Sequence, residues 1–153
     1  MGLVVDLPGI SRRNLVGRYM AKVLIVDDEP MVIHLLKTIL TRLGHDVLGA
    51  DGGKAALPVF MNHRPDVTIL DLNMPGMSGI EVLRGIRAVD RQAPVIVWSG
   101  AGTAALEREA QELGATEFIK KGFSLHELGQ ALKRVCEAYG APQTNTAGGR
   151  IAV

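Results

Sequence analysis

Val67-Thr68-Ile69-Leu70-Asp71-Leu72-Asn73-Met74-Pro75-Gly76-Met77-Ser78-Gly79 is the stretch whose reading decides the fold. Val67 to Leu70 has the length and the unbroken apolar or β-branched character of a strand covered on both faces. A single carboxylate follows, then a Pro-Gly turn, and a segment of helical period begins near Ile80. Strand, loop and helix in that order make one βα unit.

The same unit recurs on either side. Strands are expected over Lys22 to Val26, His45 to Ala50, Val67 to Leu70, Val95 to Trp98 and Glu117 to Lys120, with helices starting near Pro30, Gly53, Ile80, Thr103 and Ser124. Alternation of this kind winds into a parallel sheet covered by helices, an α/β fold of (βα)5 type. The first, third and fourth strands are nearly all apolar and belong inside, and the second is the weakest and belongs at an edge. Pro58 falls inside the second helical pattern, where its ring and missing N–H cost roughly 3 kcal/mol, so a kink or a late start is expected there. In the last helix Ser124 and Glu127 have capping-box spacing, and Leu125, Leu128, Leu132, Val135 and Tyr139 form a stripe expected to pack on the sheet.

With 153 residues, 47% of them hydrophobic and 22% charged, the chain has the size and balance of one soluble domain. A net charge of +1 with both signs interspersed offers no field for holding nucleic acid. The one cysteine, Cys136, has no intramolecular partner and reads as a structural thiol in a reducing, cytoplasmic setting. No apolar run approaches the ~20 residues of a membrane span, and the start lacks the apolar core of a secretory signal. Met20 directly precedes a strand start, so residues 1–20 read as an extension outside the fold, residues 21–139 as the domain, and the Gly, Ala, Thr and Pro-rich residues 140–153 as a disordered tail.

In a parallel sheet, ligands bind beyond the carboxyl ends of the strands. Those ends carry Asp27-Asp28-Glu29, Asp71, Ser99 and Lys120-Lys121, which collects carboxylates, a hydroxyl and an ammonium in one crevice. Crowded carboxylates repel unless a hard divalent cation lies between them, and magnesium, held by Asp28 and Asp71, matches that need. A carboxylate attacks phosphorus when the charge developing on the phosphoryl oxygens is neutralised from several sides. The set therefore reads as a metal and phosphoryl site. The competing structural reading makes Asp27 and Asp28 helix caps ahead of Pro30, Ser99 a turn residue and Lys121 a surface charge.

Val26-Asp27-Asp28-Glu29-Pro30, the Asp71 to Gly79 stretch and Phe118-Ile119-Lys120-Lys121-Gly122-Phe123 resemble the three signature stretches of response-regulator receiver domains, over roughly residues 21–139. The resemblance implies a flavodoxin-like, doubly wound five-stranded parallel sheet of order 2-1-3-4-5. It implies that Asp71 is the phosphoacceptor, that Asp27, Asp28, Asp71 and the Asn73 carbonyl serve magnesium, and that Ser99 and Lys121 contact the phosphoryl group. The resemblance also implies that Ser99 with Phe118 forms the switch. The family has Lys, then Pro, then Phe, and counting back from Phe123 selects Lys121 over Lys120. Gly122 stands where the family has Pro, whose peptide bond there is usually cis, a geometry much costlier without Pro.

The implied partners are a sensor histidine kinase or histidine phosphotransfer protein and a downstream protein effector, met through the α4-β5-α5 face. Neither DNA nor membrane contact is expected. The chain is expected to be a monomer or weak dimer, and not an enzyme beyond slow self-dephosphorylation. Too few residues follow Tyr139 for an output module. One rival is a receiver-like docking module that works without phosphorylation. A phosphatase of the haloacid-dehalogenase type is disfavoured, because it needs a second Asp where this chain has Asn73 and places its nucleophile on the first strand. His34, His45, His63 and His126 lack ligand spacing, and Trp98 reads as core.

Overall fold

The computed structural model describes residues 20–100, 103–122 and 125–140. The expected extension over residues 1–19, the tail beyond residue 140, and Phe123 and Ser124 with its capping box lie outside the described residues. Five strands alternate with five helices: β1 Lys22–Val26, α1 Pro30–Arg42, β2 Asp46–Ala50, α2 Gly53–His63, β3 Val67–Leu70, α3 Gly79–Val89, β4 Val95–Ser99, α4 Ala104–Glu112, β5 Glu117–Lys120 and α5 Leu125–Gly140. The sheet is parallel throughout, in the order β2-β1-β3-β4-β5. The weakest strand in the sequence, β2, is indeed an edge, and β5 is the other.

Successive strand residues point to opposite faces, so each strand feeds two cores. Leu24, Val26, Leu70, Val95 and Val97 pack with α2, α3 and α4 through Phe60, Leu83, Ile86 and Ala110. On the other face, Val23, Ile25, Ile69, Ile96 and Trp98 meet α1 and α5 through Leu36, Leu40, Leu128 and Leu132. Helices on both faces explain why β3 and β4 are buried at every position while the edge strands β2 and β5 keep exposed positions.

Pro58 does not delay α2, which runs unbroken from Gly53 to His63. Pro58 and Lys54, whose carbonyl lacks its usual partner, are both exposed, so the lost N–H leaves no buried polar group behind on a core-facing side. The α5 stripe is shorter than expected: Leu128, Leu132 and Val135 are buried, together with Ala131 and Cys136, whereas Leu125 and Tyr139 stay 38% and 44% exposed. A helix of 16 residues spans about 24 Å, and a strand of five about 17 Å, so the ends of α5 overhang the sheet. Burial, with the charges of Asp66 and Glu137, pushes the Cys136 thiol up to about 11, as suits an unreactive core group.

Arg87 ties the lower ends of three elements together. Its Nε donates to the Leu113 carbonyl at 2.8 Å, Nη1 to Ala93 at 2.7 Å and Nη2 to Gly114 at 2.8 Å. Charge-assisted bonds to otherwise unpaired carbonyls exceed neutral ones in strength. Arg87→Ala is expected to cost about 2 kcal/mol in urea unfolding, and Arg87→Lys, which lacks the planar fork, should recover less than half of it. A midpoint unchanged by Arg87→Ala would show that these carbonyls are equally well served by water.

His45 connects β2 to the start of β1, its Nδ1 accepting the Ala21 N–H at 3.1 Å. Burial lowers the imidazole from its ordinary 6.5. Above that value both folded and unfolded chains carry it neutral. As pH falls through 6.5 the unfolded chain binds a proton that the folded one resists, so stability is lost on acidification. His45→Asn keeps an acceptor near the same place without titrating. It is expected to flatten the fall in unfolding midpoint between about pH 7 and pH 5. An equally steep fall would assign that acid sensitivity to other groups.

Candidate functional site

The strand order reverses between β1 and β3, and the crevice at such a switch point lies beyond the carboxyl ends of those strands. Ladder bonds continue past the strands and hold the backbone of the residues there. The Asp27 N–H reaches the Ala50 carbonyl at 3.2 Å, the Asp71 N–H that of Val26 at 2.9 Å, and the Lys121 N–H that of Ser99 at 2.9 Å. Asp27 and Asp71 are 1% and 4% exposed, a burial that carboxylates tolerate only with partners.

Those partners are in place. Asp27 Oδ1 accepts the Glu29 N–H at 2.9 Å, and Asp71 Oδ1 accepts the Asn73 N–H at 3.2 Å. Lys121 Nζ lies 2.7 Å from Asp27 Oδ2 and 3.2 Å from Asp71 Oδ2. One oxygen from each of Asp27, Asp28 and Asp71 lies within 4.8 Å of the others. Burial raises the Asp71 carboxyl above its ordinary 3.8; Lys121 and the Asn73 N–H pull it back, and the charge of Asp27 adds to the rise. Burial works against the Lys121 ammonium, but contact with Asp27 and the charges of both aspartates outweigh it and hold the group above its ordinary 10.5.

Lys121 reaches the crevice without Pro after it. The described residues contain no cis peptide bond, and Gly122 takes φ +95°, a conformation closed to Pro and open to Gly. Gly122 thus makes the turn after β5 by a different route. Ser99 is the last residue of β4 and is 1% exposed, and its Oγ has no hydrogen-bond partner among the described residues. Phe118 lies on β5, 38% exposed, beside Ala104, Glu107, Arg108 and Gln111. Asn73 is an exposed neighbour whose N–H serves Asp71.

Neither Asp27 nor Asp28 caps α1, whose N-cap is Glu29 with no side-chain bond, so the capping reading fails. The cap that sequence reading missed is Ser78 on α3: its Oγ accepts the Glu81 N–H at 3.4 Å, and the Glu81 carboxylate accepts the Ser78 N–H at 2.8 Å. The Ser-x-x-Glu spacing ahead of an apolar run was the available signal. Trp98, read as core, is buried, yet its ring also lies under Lys121 Nζ, 5.5 Å from the centroid.

Five parallel strands with buried carboxylates at the switch point, a lysine across from them and a buried hydroxyl at the end of β4 define an acidic-pocket domain of doubly wound α/β type. Residues 23–133 match the sequence model of the response regulator receiver domain, and the chain belongs to that family. It is 42% identical over 108 residues to the transcriptional regulatory protein KdpE of Mycobacterium tuberculosis, covering 71% of this chain and 47% of that one. It thus spans about half the length of that relative. Sporulation initiation phosphotransferase F of Bacillus subtilis is 34% identical over 113 residues, 74% of this chain and 91% of the relative. The solved chemotaxis protein CheY4 of Vibrio cholerae superposes with a TM-score of 0.71 at 32% identity, covering 76% of this chain and 98% of that one.

Proposed function

We propose that this chain is a phosphorylatable switch of two-component signalling, in which Asp71 accepts a phosphoryl group from a histidine kinase or histidine phosphotransfer protein. The observation that carries the reading is the pairing of a nearly buried Asp71 carboxylate with Lys121 Nζ at 3.2 Å, in a cluster with the Asp27 and Asp28 carboxylates, while Ser99, whose Oγ has no partner among the described residues, ends the neighbouring strand β4. In the proposed step an Asp71 oxygen forms a bond to phosphorus as the P–N bond of the phosphohistidine breaks. The imidazole leaves with the bonding electron pair and takes its proton from solvent. Lys121, already beside Asp71, neutralises a transferred oxygen, and the Ser99 hydroxyl gains an acceptor for its unused donor.

Three clustered carboxylates supply hard oxygen donors of the kind magnesium takes, so Asp27, Asp28 and Asp71 fit such an ion, with the Asn73 carbonyl as a further ligand in the proposal. When bound, it supplies positive charge against the phosphoryl oxygens. Movement of Ser99 toward the phosphoryl group would free space for Phe118 to change rotamer, shifting the population of the α4-β5-α5 face toward a form that binds a protein effector. Domain limits at residues 21–139, a cytoplasmic setting, slow self-dephosphorylation and a monomeric or weakly dimeric state belong to the same proposal. Among the described residues no helix is long and apolar enough to cross a membrane.

The test is intact-mass spectrometry after incubation with magnesium and acetyl phosphate, with gain of one phosphoryl mass expected. No adduct, and no binding of beryllofluoride, would instead support a docking module that works without phosphorylation. Asp28→Ala is expected to leave the fold intact, since it relieves repulsion, while weakening magnesium by at least about tenfold, a loss that even supporting residues around metals produce. Thermal melts with and without magnesium read both effects. An unchanged magnesium-dependent gain would remove Asp28 from the metal site.

A further inference from the structure

Trp98 is the chain's one tryptophan and directly precedes Ser99 on β4. Its ring packs in the core shared by α1 and α5, yet Lys121 Nζ lies 5.5 Å from the ring centroid, inside the ~6 Å over which an aromatic face attracts a cation. The backbone on the far side of Lys121 gives little guidance. Gly122 is exposed, and a Cβ built on it would meet nothing within 4 Å. The Lys121 N–H bond to Ser99 at 2.9 Å fixes the main chain but leaves a four-carbon stem free to turn. The side chain is therefore directed by Asp27, Asp71 and the Trp98 ring.

Of those three, two change during the proposed reaction. Asp71 becomes an acyl phosphate, and Asp27, now 2.7 Å from Lys121, is also one of the three carboxylates suited to a cation. The ring alone keeps its character. We infer that Trp98 is a positioning residue for phosphoryl transfer, its indole face holding the Lys121 ammonium over the crevice when the aspartates turn to other partners. This inference rests on the reading of Asp71 as phosphoacceptor. A leucine would fill much of the same apolar space but has no electron-rich face to attract the charge.

The experiment follows initial rates of phosphoryl gain from acetyl phosphate by intact mass, in wild type, Trp98→Leu, Trp98→Phe, Lys121→Met and the Trp98→Leu/Lys121→Met double variant. Trp98→Leu is expected to be slower by about fivefold, and Trp98→Phe to return to within about twofold of wild type. In the Lys121→Met background Trp98→Leu should have no further effect, because a residue acting through Lys121 has nothing left to position. A purely structural role predicts the same loss in both backgrounds, and that result overturns the inference. In the metal-free protein Lys121→Met should move the Trp98 fluorescence emission, and an unmoved emission overturns the contact itself. If Trp98→Leu does not fold, Trp98→Met carries the same comparison. An inert wild type refutes the phosphoacceptor reading and this inference together; an active wild type matched by Trp98→Leu refutes this inference alone.

Discussion

Asp71→Asn is expected to take up no phosphoryl group from acetyl phosphate under conditions in which the unaltered chain is expected to gain one. The amide is neutral and its nitrogen is a poor nucleophile, so no replacement oxygen of carboxylate strength remains at the end of β3. The substitution is otherwise conservative. The amide oxygen can still accept the Asn73 N–H, now bonded to Oδ1 at 3.2 Å, and Lys121 keeps its closer partner Asp27 at 2.7 Å. Removing one charge from three crowded carboxylates also relieves repulsion, so unfolding stability should be unchanged within about 1 kcal/mol, or should rise. Intact mass and a urea melt on the same sample separate the two effects. A phosphoryl adduct of undiminished amount in Asp71→Asn would move the acceptor to another residue, Asp27 first.

Gly79→Ala is expected to lower stability by about 3 kcal/mol and to impair the site as well. Gly79 opens α3 with its N–H bonded to the Leu72 carbonyl at 3.0 Å, which folds the loop after Asp71 back on itself. A Cβ at this position would collide with the Asp71 carbonyl oxygen and would lie 2.6 Å from the Leu72 Cα. The obstacles are main chain, which cannot rotate aside as a flexible side chain would. Relief requires moving either the start of α3, pinned by buried Ile80, Val82 and Leu83, or the Asp71 backbone itself. Urea unfolding reads the first cost, and the rate of phosphoryl gain reads the second. Wild-type stability in Gly79→Ala would mean that the loop has room to withdraw.

Most of the architecture was legible because it rests on local pattern. Val67 to Leu70 could hardly be anything but an interior strand, and five such units with helices between them admit few arrangements. The limits of reading from pattern are equally specific. Pro58 was expected to kink α2 or delay its start, and the start at least is not delayed: α2 begins at Gly53 with Pro58 inside it, on an exposed side of the helix, a fact of orientation that spacing does not carry. Leu125 and Tyr139 continue a periodic stripe, but how far a helix overhangs its sheet depends on the length of strands elsewhere in the chain. Ser78 and Glu81 carried a readable signal that went unused.

The site divides along the same line. Residue types at strand ends were enough to bring Asp27, Asp28, Asp71, Ser99 and Lys121 to one crevice, since a parallel sheet presents all its carboxyl ends on one side. That Lys121 reaches both aspartates through a turn at Gly122, that Ser99 Oγ is buried without a partner among the described residues, and that Trp98 lies beneath the ammonium were settled only by the folded chain. The reason is physical. Strand and helix assignments follow from the order of side chains along a few residues, whereas ion pairs and cation–ring contacts form between residues such as Asp71 and Lys121, 50 positions apart, whose distance is set by the register of β3, β4 and β5.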